Sequence, residues 1–172
     1  MNQTKKLILK SPIIFSLCII VLSVAITFIP LAPLFTGICE EQAADYITGI
    51  IEQTMVGLML IYLLKKLDLL ERVGFKRKGK ELWILWPMIL FILLNASDFL
   101  TGGIVIDKSR PFLIILFVLV YFSTGLFEET LCRGVVFGLM INKWGESKGG
   151  CYLAVIVSST VFGLIHFIHY IL

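Results

Sequence analysis

The stretch Phe127-Glu128-Glu129-Thr130-Leu131-Cys132-Arg133 lies between two apolar runs, residues 111–122 and 134–141. Two carboxylates and a guanidinium therefore stand where lipid or protein interior is expected. An ionised side chain at mid-membrane costs about 2.5–3.5 kcal/mol on insertion scales, so such groups mark a pathway or an active site. The reading of the chain turns on what those groups meet.

The surrounding composition is that of a membrane protein. Of 172 residues, 58% are hydrophobic and 16% charged, and the mean hydropathy is +0.96. This implies an all-α fold, a polytopic transmembrane helical bundle with about five spans. The net charge of +3 comes from lysines and arginines in short segments beside apolar runs, which are topology signals rather than a nucleic-acid surface. The four cysteines, Cys18, Cys39, Cys132 and Cys151, show no CxxC spacing, and neither a disulfide framework nor a structural zinc site follows from them. The expected partner is the lipid bilayer, with no nucleic acid.

The first run, residues 11–35, follows Lys5, Lys6 and Lys10 and is long enough to span, so it reads as an uncleaved helix ended or bent by Pro30 and Pro33. An acidic loop, residues 39–45, precedes a second span over 46–64, in which Glu52 and Gln53 face other helices. Residues 65–80 are the most basic part of the chain, and 67–75 reads as a short amphipathic element on the membrane face. The positive-inside rule puts the N-terminus and this segment in the cytoplasm and the acidic loop outside. A third run, 82–94, opens on Trp83 and Trp86, an interfacial aromatic anchor. The fourth begins at Pro111 and carries the charged stretch. Either it runs unbroken to Asn142 or it breaks near residues 123–125. A polar break at 142–150 precedes the last run, 151–172. Residues 1–110 thus form an N-terminal set of transmembrane helices, and 111–172 a unit carrying the chemistry.

On a helix, Glu129 and Arg133 are four apart and can pair, whereas Glu128 points elsewhere and remains free. Glu128 is a candidate general base for activating water. The last run holds both histidines of the chain, His166 and His169, on one face, with Phe162 four residues before His166 and the small residues Ser158, Ser159, Thr160 and Gly163 suited to close helix approach. Fifteen residues separate Glu128 from Lys143, and sixteen separate Gly150 from His166. At about 1.5 Å per residue, an antiparallel pair places Glu128 and His166 level.

These residues resemble the motifs of the CAAX protease and bacteriocin-processing (CPBP) family, the intramembrane endopeptidases that include type II CAAX prenyl proteases. Its Glu-Glu-x-x-x-Arg motif stands as Glu128-Glu129-Thr-Leu-Cys-Arg133, and its Phe-x-x-x-His motif as Phe162-Gly-Leu-Ile-His166. The resemblance implies hydrolysis of a peptide bond in a membrane-associated peptide or protein substrate, CAAX-type or bacteriocin-related. Glu128 and His166 would serve the attacking water, with Glu129 and Arg133 as the supporting pair. It also implies a multi-pass protein of a bacterial plasma membrane. It leaves the cofactor open: members are described both as metalloproteases and as metal-independent glutamate proteases. A divalent metal such as zinc would require Glu128 and His166, with His169 as a third ligand. The family's third motif, a His with Asn or Asp four residues on, is not present before Leu172. The chain is therefore expected to be a truncated member, inactive alone or completed by a partner chain. The alternative is a non-catalytic membrane protein of the same fold, a bacteriocin-immunity or scaffolding factor.

Overall fold

The computed structural model describes residues 8–74, 86, 89–90 and 107–171, with side chains described as far as Phe167. Helix α1 (Pro12–Thr27) starts with proline at its first position, where the missing N–H costs nothing. It stops ahead of Pro30, which disfavours helix at the preceding residue, and a 3-10 turn (Ala32–Leu34) follows.

Helix α2 (Glu41–Leu67) is longer than the apolar run that announces it. The acidic stretch expected as a loop is its first turn: Glu41 meets the positive end of the helix dipole, and Lys65 and Lys66 meet the negative end. The helix closes on Asp68, whose φ of 58° is left-handed and whose N–H returns to the carbonyls of Leu64 and Lys65. That reversal removes the amphipathic element expected over 67–75. Residues 70–74 instead form turns, and Leu67 and Leu69 are buried against the bundle.

From Pro111 to Trp144 the helix is continuous, with no break at 123–125. It comprises α3 (Pro111–Glu128), a π-helical segment (Glu129–Phe137) and α4 (Gly138–Trp144). Residues 145–147 turn the chain into α5 (Lys148–Ile171). Among the described residues four helices are long and apolar enough to cross a membrane. The fold is an all-α transmembrane bundle, in agreement with about five spans. The expected third run at 82–94 lies outside the described residues except for Trp86, which is helical and exposed, and residues 89 and 90.

Close contacts fix the packing. A Cβ on Gly49 would meet Val120, one on Gly57 would meet Phe127, and one on Gly134 would meet Leu64. Helix α2 and the long helix therefore run parallel. At one end Arg110 pairs with Glu40 at 3.4 Å. At the other, Lys143 Nζ donates to the carbonyl of Lys10. The core lies towards this second end, where Leu60 and Leu64 pack with Leu131, Val135, Val136 and Leu139.

Candidate active site

The charged stretch falls at the α3–π junction, near the middle of the 34-residue helix. π-Helical geometry is rare and recurs at functional sites. Here it begins at Glu129, and it buries Thr130, Leu131, Cys132, Gly134, Val135 and Val136 while leaving Glu129 and Arg133 outward. The pairing expected from spacing is present: Arg133 Nη1 donates to Glu129 Oε1 at 3.1 Å. Both are exposed, Arg133 at 77% and Glu129 at 57%.

Glu128 turns the other way and meets α5. His166 Nε2 lies 3.5 Å from Glu128 Oε1, at the common depth that residue counting gives. His166 Nδ1 lies 3.0 Å from the carbonyl oxygen of Phe162. A carbonyl only accepts, so Nδ1 carries a hydrogen and Nε2 is the atom presented to Glu128. The Phe162 ring tilts against the imidazole with centroids 4.3 Å apart, which fixes the ring plane. Phenylalanine four residues before the histidine thus supplies both a ring wall and the carbonyl that sets the tautomer.

Between these elements is a cavity of about 450 Å³. Gly125, Glu128 and Cys132 form one wall, and Val155, Ser158 and Phe162 the other. Ser158 is buried, and its hydroxyl donates back to the carbonyl of Val155 at 3.1 Å. Ser159, Thr160 and Gly163, expected to bring helices together, are exposed, and nothing lies within 4 Å of a Cβ built on Gly163. Ser159 lines the cavity and Gly163 faces open space, rather than a helix contact among the described residues.

Zinc takes three or four protein ligands. Among the described residues no group of three His, Cys, Asp or Glu converges to hold a metal ion. Glu128 and His166 offer two donors, Glu129 is engaged by Arg133, and the side chain of His169 lies outside the described residues. The described donors do not make up a metal site, and no step below is routed through one.

A second polar group, only half legible in sequence, braces the helix one turn before Glu128. Thr124 Oγ1 lies 2.7 Å from Gln53 Oε1 and 2.9 Å from the carbonyl of Val120. Beside it, Thr54 Oγ1 donates to Ser123 Oγ at 3.2 Å, and Ser123 donates to the carbonyl of Leu119 at 2.9 Å. Glu52, also expected to face a helix, is buried, with Oε1 lacking a partner among the described residues. Interhelical hydrogen bonds in membranes average about 0.6 kcal/mol.

Residues 110–172 match the family model for type II CAAX prenyl endopeptidase Rce1-like. The segment is Rce1-like. No curated protein and no solved structure gives a significant match to the chain. The Rce1-like match spans both motif elements, from the start of α3 to the end of α5, and supports a CPBP-family protease. At the level of that family the activity is CAAX-type intramembrane proteolysis, and the chain is an integral membrane protein.

Proposed function

We propose that the chain is an intramembrane endopeptidase that hydrolyses a peptide bond of a membrane-associated substrate through a water activated by Glu128. The observation that carries this reading is the approach of His166 Nε2 to Glu128 Oε1 at 3.5 Å over the cavity, with the imidazole oriented by the Phe162 carbonyl. A water seated beside the pair, on the cavity side, can reach both side chains. Nε2 accepts one of its hydrogens and orients it, while the Glu128 carboxylate takes the other as the oxygen attacks the scissile carbonyl carbon. A C–O bond forms. The proton held by Glu128 then passes to the amide nitrogen as the C–N bond breaks, and a carboxylic acid and an amine leave. Glu129 and Arg133 neutralise each other beside the reacting carboxylate and keep a net charge from accumulating at mid-depth.

Substitution of Glu128 by Gln keeps the shape and removes the base. Cleavage of a prenylated CAAX peptide by the purified protein in lipid vesicles should fall at least 10²-fold, the lower end of what a general base contributes. Undiminished cleavage by E128Q at equal protein level would remove the mechanism. The exposure of Glu128 (38%) and His166 (49%) favours a second reading, a scaffolding or immunity protein that keeps the fold without the reaction. In that case E128Q would support the cellular phenotype as well as the wild type. A partner chain that covers the open side of the cavity belongs to either reading. The basic end of the bundle, with Lys10, Lys65, Lys66, Lys143 and Lys148, supports a cytoplasmic placement of the N-terminus and of the 145–147 turn.

A further inference from the structure

The Gln53 carboxamide has more hydrogen-bonding capacity than the described residues around it use. Thr124 Oγ1 has a single proton and two acceptors within reach, Gln53 Oε1 at 2.7 Å and the Val120 carbonyl at 2.9 Å. If the hydroxyl donates to Gln53, both N–H groups of the amide are unspent. If the amide is turned so that it donates to Thr124, one N–H and the carbonyl are unspent. In either orientation at least one N–H donor has no partner among the described residues.

Its position gives that donor a use. Thr124 and Glu128 both lie in the α-helical part of the long helix, four residues apart and so about 40° apart around its axis. His166 approaches Glu128 from α5, and Gln53 reaches the same strip of helix from α2. Gln53 therefore meets the long helix one turn before Glu128, just beyond the residues that line the cavity. Gln53 is half-buried, so the residue keeps part of its surface accessible to an incoming chain.

We propose that Gln53 is a substrate-binding residue of this site, its carboxamide, anchored at Thr124, donating an N–H to a main-chain carbonyl oxygen of the peptide held beside Glu128. This rests on the reading of the cavity as a peptide site. An amide in this place supplies what the carboxylate and imidazole lack, a neutral donor whose protonation does not change with the acid–base cycle. Helix α2 then belongs to the site although the family match begins at residue 110.

Two variants separate binding from bracing. Gln53→Met keeps the bulk of the side chain and removes all hydrogen bonding, whereas Thr124→Val removes the anchor and keeps the amide. In the E128Q background, which turns nothing over, the dissociation constant of a dye-labelled farnesylated CAAX peptide should rise about tenfold or more with Q53M and less than threefold with T124V. Equal effects of the two variants would make Gln53 a brace and overturn the proposal, as would unchanged binding by Q53M or a failure of E128Q to bind the peptide. Gln53→Asn, which withdraws the same amide by one carbon, should follow Q53M and serves if that variant does not fold. Wild-type binding without wild-type cleavage would sink proteolysis while leaving Gln53 to be judged on these constants.

Discussion

Glu129 and Arg133 satisfy one another and very little else, so their energetics are those of a pair at depth. In water an exposed ion pair contributes about 0–1 kcal/mol. Near the middle of a span, removing one partner leaves the other alone, at about 2.5–3.5 kcal/mol on insertion scales. Arg133→Ala should therefore destabilise the bundle more than the double substitution E129A/R133A, measured by unfolding in mixed micelles. A single variant milder than the double would show that water already reaches the pair. At the far end of α3, Asp107 accepts from the Ser109 hydroxyl at 2.5 Å and from its backbone N–H at 2.9 Å, and these bonds hold its carboxyl below the ordinary range. A depressed carboxyl contributes order above its unfolded pKa and loses it as the pH falls through the folded value. The 107–110 turn should loosen only in strong acid, and Ser109→Ala should move that loss to higher pH, followed by hydrogen exchange. The Glu129–Arg133 pair and the shared depth of Glu128 and His166 are legible in sequence because each depends on helical rise and spacing alone. The Gln53–Thr124 bond is not, because it joins residues 71 apart, and no local pattern says which face of α2 meets α3.

Among the elements, the π segment is what sequence leaves hidden. Residues 129–137 carry no proline and Gly134 as their one glycine, and one hydrogen-bond register differs from the next by a single residue. Tertiary packing decides it, and Gly134 is where that packing is tightest: a Cβ there would stand 2.9 Å from Leu64 Cδ1. Gly134→Val should cost about 1–3 kcal/mol by overpacking, seen as a lower midpoint of thermal unfolding. A variant as stable as the wild type would mean that Leu64 moves aside freely. The ends of α2 are hidden in the sequence for a different reason. Charged residues at 41 and 65–66 read as loop by hydropathy, yet they are favoured in the first and last turns of a helix.

For the whole molecule, the two ends of the bundle differ in charge. Lys10, Lys65, Lys66, Lys143 and Lys148 lie at one end, and Glu40, Glu41 and Asp107 at the other. In a cysteine-free background, Ser147→Cys should react with an impermeant maleimide only after the membrane is opened, and Thr36→Cys should react in intact cells. The reverse pattern would invert the topology. The continuity of the long helix has a mechanical consequence. Only residues 145–147 separate it from α5, so the direction in which α5 sets out is inherited from the residue count upstream. Deleting one residue at the start of α4, where the α register already holds, would turn everything after it by about 100°. The histidine would then swing away from a glutamate that had not itself been touched. A single lost codon, nearly thirty positions from His166, would act on the site as completely as a change of the imidazole.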